Sequence, residues 1–91
     1  MEKNFEKYLS MLAHGNQPFV VYNDTNSYGD LTICVATEAI NDRGEKKGIL
    51  IKKFFSHIDE DTGLTIMSYL GETIEQDINV SLKDLVGDLT E

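Results

Sequence analysis

The spacing of apolar residues near the N-terminus predicts an amphipathic helix over residues 4–14. The apolar positions recur at i, i+3, i+4, i+7 and i+8, and they are Phe5, Tyr8, Leu9, Leu12 and Ala13. Asn4 is a residue type that caps helix N-termini. Gly15 favours an end after His14, and Pro18 prevents the helix from continuing.

Beyond Pro18 the apolar pattern changes to that of β-strands. Runs of β-favouring residues predict strands over residues 19–22, 31–40, 49–55, 64–70 and 74–80. Gly71 is predicted to end the fourth strand before the fifth begins. Stretches rich in Asn, Asp and Gly at 23–30, 41–44 and 59–63 predict the turns between them. Residues 31–40 begin apolar on both faces, so we expect the middle of this strand to be buried on both.

The C-terminal residues return to a helical pattern. Apolar positions at i, i+3, i+4 and i+7 are occupied by Leu82, Leu85, Val86 and Leu89. Ser81 and Asp84 resemble a capping box, and Gly87 interrupts the helix. The order of elements predicts an α+β fold in a single domain over residues 1–91. It has an N-terminal helix, an antiparallel β-meander of four to five strands and a short C-terminal helix, with both helices on one face of the sheet.

Composition narrows the protein class. The 91 residues are 41% hydrophobic and 26% charged, which is typical of a soluble domain, and the net charge is -8. An acidic chain opposes direct binding to nucleic acid, and no apolar run approaches the ~20 residues of a membrane span. The N-terminus lacks the features of a signal peptide, and the sole cysteine, Cys34, has no partner for an internal disulfide. We therefore expect a cytoplasmic protein.

The charge is distributed unevenly along the chain. Residues 1–40 sum to -3, residues 41–53 to +3 and residues 54–91 to -8. We predict that the acidic C-terminal third binds a basic protein partner, because complementary charge speeds association and selects partners. The predicted protein-binding residues are Glu72, Glu75, Asp77, Asp84, Asp88 and Glu91. The alternative interpretation is a solvated face that keeps a small protein soluble.

A basic hairpin provides a second candidate site. Its cations are Arg43, Lys46, Lys47, Lys52 and Lys53. They could bind an anionic nucleotide or metabolite, and Tyr22, Tyr28 and Tyr69 could line the same pocket. Lys52 and Lys53 are neighbours in a strand and are expected to point to opposite faces. The structural alternative is a hairpin and edge strand that lysines protect from aggregation.

Motifs for metal and cofactor binding are weak, and we predict that the protein holds neither a metal ion nor a cofactor. Residues 24–31 partly match a calcium loop, but Val35 occupies the position of the bidentate Glu and the flanks are predicted strands. The acidic turn at 59–63 is too short to supply six oxygens. His14, His57 and Cys34 lack the CxxC or HxxxH spacing of a structural zinc site, and no GxGxxG or GxxxxGK[ST] motif occurs.

Catalytic motifs are equally weak. His57 lies close to Ser56 and Asp59, but residues so near along one strand point to different faces, whereas triads assemble from distant segments. Cys34 in mid-strand is most simply a small buried hydrophobe. The sequence therefore predicts no enzyme, although a small oligomeric enzyme with a site between subunits stays a third hypothesis.

The sequence thus predicts a small acidic interaction protein that binds and inhibits, or neutralises, a basic protein partner. Phage anti-defence proteins, immunity proteins and antitoxins share this general profile, by class and not by motif. The alternative function is a small-ligand binder that sequesters an anionic nucleotide or metabolite through residues 43–53. A homodimer is also predicted, because strands 49–55 and 64–70 carry more apolar surface than two short helices can cover.

Overall fold

A computed structural model describes residues 3–25, 29 and 31–86 of the chain. The elements in order are α1 (Phe5–His14), β1 (Phe19–Thr25), β2 (Leu31–Ile40), β3 (Lys46–Ile58), β4 (Thr65–Glu75) and α2 (Leu82–Val86). The strands form one antiparallel sheet in the order β1-β2-β3-β4. The predicted α+β fold with a meander is confirmed. No helix in the described ranges is long and apolar enough to cross a bilayer.

Helix α1 is capped at its N-terminus as the sequence predicts. The Asn4 side chain accepts a hydrogen bond from the Lys7 N–H at 3.0 Å, which satisfies one free donor of the first turn. At the other end the left-handed residue is Asn16, with φ 53°, whereas Gly15 has φ -82°. Asparagine adopts this conformation more readily than most residues, so it takes the position that we expected glycine to fill.

The hydrophobic core lies between α1 and one face of the sheet, which we call the first face. Tyr8 and Leu12 of α1 pack with Val35 of β2 and Phe54 of β3, and all four side chains are buried. The sheet register places Val35 opposite Lys52, so Lys52 also points to the first face. The strands are longer than predicted at β1 and β3, because pairing with neighbours extends them into polar residues.

Strand β4 is one continuous strand, and the predicted break at Gly71 is wrong. The pairing with β3 shifts between Lys53, which faces Gly71, and Phe54, which faces Tyr69. Leu70 is therefore an extra residue in a β-bulge, and Gly71 has φ 146°, a conformation that glycine adopts readily. Residues 76–80 form turn and irregular structure, so the separate strand predicted at 74–80 is also wrong.

The face of the sheet opposite to α1, which we call the second face, is covered by α2. The prediction that both helices lie on one face is therefore wrong. Cys34, Ala36 and Ile49 point away from α1 and yet have no exposed surface. Helix α2 packs against β1 and β2, and this burial places it on the second face. As predicted, the middle of β2 is buried on both faces. The Ser81 N–H donates to Asp84 Oδ2 at 2.8 Å, which forms half of the expected capping box.

Glycine is required at position 48, where the end of β4 comes close to the start of β3. Its φ is 140°, and a Cβ here would overlap the backbone carbonyl oxygen of Glu75. We expect Gly48→Ala to lower the free energy of unfolding by about 2–3 kcal/mol, measured by urea denaturation, through backbone strain and overpacking. Gly44→Ala is the matched control, because Gly44 also has positive φ but open space around it. Equal losses in the two variants would contradict the close approach at Gly48.

Candidate interaction site at the β4 edge

Strand β4 forms an exposed and largely apolar edge of the sheet. It is 11 residues long, and no element in the described ranges pairs with its outer side. Among the described residues, ten large hydrophobic side chains are exposed, and six of these lie on β4, at the end of β3 that pairs with it, or in the turns on either side. They are Ile58, Leu64, Ile66, Leu70, Ile74 and Ile78. Long apolar edges promote unwanted strand pairing, and proteins usually protect them with lysine, proline or a bulge. Strand β4 has a bulge, at Leu70, but no Lys or Pro.

The same stretch of chain carries only negative formal charge. Residues 54–78 contain six carboxylates and no Lys or Arg. The carboxylates are Asp59, Glu60, Asp61, Glu72, Glu75 and Asp77. We call these six, together with the six exposed aliphatic side chains above, the acidic β4 edge. One border of the sheet thus carries both exposed aliphatic side chains and carboxylates.

At one end, the acidic β4 edge projects beyond the rest of the sheet. Thr32 of β2 pairs with Phe55, and the last three residues of β3 pair only with β4. The turn that follows is held by Asp59, whose carboxylate accepts the Thr62 hydroxyl at 2.9 Å. Asp59 therefore shapes the turn, whereas the neighbouring Glu60 and Asp61 are exposed to solvent.

At the other end, the carboxylates hold the turn that leads towards α2. Glu75 Oε1 accepts the Asp77 N–H at 3.1 Å, and Asp77 Oδ1 accepts the Asn79 N–H at 2.9 Å. Asp84 accepts from the backbone at the start of α2 and is also exposed. The predicted binding residues Asp88 and Glu91 lie outside the described residues.

Glu72 differs from the other predicted binding residues because it pairs with a buried cation. Its Oε1 lies 3.8 Å from Lys52 Nζ and also accepts the Tyr69 hydroxyl at 3.2 Å. Lys52 is only 3% exposed, and its Nζ lies 4.6 Å from the centroid of the Tyr8 ring and 5.6 Å from that of Tyr69. Two aromatic faces and a carboxylate therefore stabilise the ammonium inside the fold.

The cations of the predicted basic hairpin do not share one surface. Lys46 Nζ lies 3.6 Å from Glu38 Oε2 and donates to the Val80 carbonyl, which ties β3 to the turn before α2. Lys52 points to the first face and Lys53 to the second, as the alternation predicted. Arg43 and Lys47 are exposed. Ligand binding by residues 43–53 stays a prediction, and the structure does not bring its five side chains together.

One open cavity of about 370 Å³ lies between α1 and the sheet near Lys52. Its lining is Tyr8, Met11, Leu12, Gln17, Thr37, Leu50 and Lys52. The three tyrosines proposed for a ligand pocket are absent from this lining. Tyr69 contacts the Lys52 ammonium from another side, Tyr22 lies on the second face opposite Cys34, and Tyr28 is outside the described residues.

Two of the candidate nucleophiles and metal ligands, Cys34 and His57, lie inside the sheet, whereas His14 is exposed at the end of α1. Burial raises the pKa of the Cys34 thiol and raises that of Tyr22 to about 12, so both stay protonated at neutral pH. His57 Nε2 lies 2.9 Å from Ser68 Oγ, and its ring stacks on Phe55 with centroids 5.3 Å apart. Within the described residues, no three His, Cys, Asp or Glu side chains are grouped to hold a metal ion.

Comparisons with known proteins assign the chain to no family. No protein-family model, curated protein or solved structure matches the chain. The function is therefore inferred from the chemistry of the acidic β4 edge alone.

Proposed function

We propose that the chain is a protein-binding domain whose acidic β4 edge binds a basic surface of a partner protein. One observation carries the proposal. Residues 54–78 combine six carboxylates with six exposed aliphatic side chains, and this stretch holds no Lys or Arg. The sequence assigns Asp84, Asp88 and Glu91 to the same surface. Asp84 lies on α2, which packs against β1 and β2, and Asp88 and Glu91 lie outside the described residues, so this extension stays a prediction.

The two kinds of side chain would contribute in different ways. Burial of aliphatic surface in a complex is favourable by roughly 25 cal/mol per Å² of apolar area, before the costs of association. The carboxylates steer a basic partner towards the edge and disfavour acidic ones. A solvated face that serves only for solubility has no need of exposed aliphatic side chains, so their presence favours an interface.

The biological role that best fits this chemistry is inhibition or neutralisation of a basic protein. A basic surface covered by the acidic β4 edge is no longer available to its own ligands. We expect the complex to form in the cytoplasm, where a lone buried thiol such as Cys34 stays reduced.

The double variant Glu75→Gln, Asp77→Asn tests the proposal. Both amide side chains can still accept the backbone N–H groups that the carboxylates accept now, so the turn is retained while two charges are lost. The wild-type chain is immobilised, and partners are captured from an extract of its own cells. The dissociation constant of the purified partner is then measured for the wild type and for the double variant. Two exposed charges at 0.5–1 kcal/mol each weaken binding about tenfold.

The matched control is Asp24→Asn, Asp42→Asn, which removes the same number of charges from β1 and from the turn between β2 and β3. Its partner affinity should equal that of the wild type. Equal weakening in both variants would mean that only the net charge matters. Unchanged affinity in the Glu75, Asp77 variant would contradict a role for the β4 edge.

A further inference from the structure

We propose that the partner contributes an extended basic segment, which pairs with β4 through its main chain as a fifth strand of the sheet. This inference rests on the proposed function and adds the mode of recognition. Strand addition at a free sheet edge is a common way for domains to bind peptides, in which backbone hydrogen bonds supply affinity and side chains supply specificity.

The edge of β4 is suited to this pairing by its length and by its accessibility. In an antiparallel sheet, alternate residues of an edge strand direct their N–H and C=O groups outward. The 11 residues of β4 extend over roughly 35 Å at about 3.3 Å per residue, and the bulge at Leu70 divides this edge into a run of five residues on each side. In the described part of the chain, β4 pairs with β3 alone, so its outer row of backbone groups is open to a partner.

The opposite edge of the sheet is less suited. Strand β1 has only 7 residues, and helix α2 packs against it. Asp24 is the one charged residue of β1, whereas β4 carries Glu72 and Glu75 and is flanked by acidic turns on both sides. Charge therefore directs a basic segment to β4.

Charge also decides against a second copy of this chain at the same edge. Glu72 is already paired with Lys52, but two antiparallel β4 strands would bring Glu75 and Asp77 of each copy towards the acidic turn at 59–61 of the other, and residues 54–78 offer no Lys or Arg to compensate. Like charges on paired strands are destabilising. The predicted homodimer stays a prediction, but β4 is not the edge that favours it.

The test measures amide hydrogen exchange by NMR in the ¹⁵N-labelled chain. The probe is a synthetic peptide of about eight residues, an ordinary strand length, in which lysine alternates with valine or threonine. At saturating peptide we expect exchange to slow by about tenfold or more at alternate amides within Thr65–Glu75, because these enter new backbone hydrogen bonds. Amides of Phe19–Thr25 should keep their rates.

Two control peptides separate main-chain pairing from charge. The first carries N-methyl groups at alternate residues and cannot form the ladder, and the second has glutamate in place of lysine. Neither should slow exchange in β4. Binding of the basic peptide without slowed β4 amides would overturn strand addition and leave the proposed function intact.

The remaining outcomes of the exchange experiment would each overturn strand addition by a basic segment at β4. Slowed β1 amides would overturn the assignment to β4, and slowed β4 amides at high protein concentration without peptide would assign the edge to a second copy. A basic peptide that does not bind would overturn strand addition. The proposed function would still be judged separately, by capture with the Glu75, Asp77 variant.

Discussion

Replacement of Phe54 by alanine is expected to remove a large part of the stability of the fold. Large-to-small substitutions of buried phenylalanine cost about 3–5 kcal/mol, and small domains have only ~5–15 kcal/mol in total. Phe54 is fully buried, and its ring meets those of Phe5 and Tyr69 edge to face at centroid distances of 5.2 and 5.7 Å. The variant therefore loses ring contacts with α1 and β4 at once.

Urea denaturation followed by circular dichroism measures this loss. The matched control is Phe55→Ala, the next residue of the same strand. Phe55 points to the second face and is only half-buried, so its loss should cost less than half as much. A larger effect at Phe55 than at Phe54 would show that the core does not lie between α1 and the sheet.

Replacement of Lys52 by alanine is expected to cost about 3 kcal/mol, through loss of packing around the stem and of its cation–π contacts. The side chain is 3% exposed and lies against the rings of Tyr8 and Tyr69, so its aliphatic stem is part of the packed interior. Lysine stems pack as hydrophobic groups wherever the rest of the side chain finds a polar partner. Here that partner is Glu72.

Lys52→Met separates the stem from the charge. Methionine retains most of the apolar volume, and Glu72 keeps its hydrogen bond from Tyr69 together with some contact with solvent. We expect this variant to lose only about 1 kcal/mol, because a buried ion pair adds little to stability over a well-packed apolar group. Unfolding free energies from urea denaturation compare the two variants. Equal losses would mean that the charge, and not the packing of the stem, determines the role of Lys52.

The elements with regular periodicity were predictable from the sequence. The apolar face of α1 and the two-faced pattern of Leu31–Ile40 depend on neighbours within one segment, and both predictions are confirmed. Strand β4 was not predictable in the same way. A glycine such as Gly71 can end a strand or form a bulge, and the outcome depends on the 13 residues of β3 against which β4 pairs.

The candidate site was only partly predictable from the sequence, because it too depends on how the strands pair. The absence of Lys and Arg between residues 54 and 78 can be read directly from the sequence. That these residues form a sheet edge depends on strand order, which local patterns do not encode. The local pattern places Lys52 in a basic hairpin because its neighbours are basic, and the strand alternation predicts only that it points away from Lys53. The register that sets Lys52 opposite Val35 and Glu72 instead places it inside the fold.

The central claim is that the acidic β4 edge binds a basic protein. The most direct test is the dependence on NaCl of the dissociation constant between the wild-type chain and its purified partner. Exposed charge pairs are screened as the Debye length falls from about 10 Å at 0.1 M to about 3 Å at 1 M salt, so we predict that the affinity weakens about tenfold or more over this range. The Glu75→Gln, Asp77→Asn variant should show a shallower slope. An affinity that does not change with salt, or equal slopes for the variant and the wild type, would contradict the account.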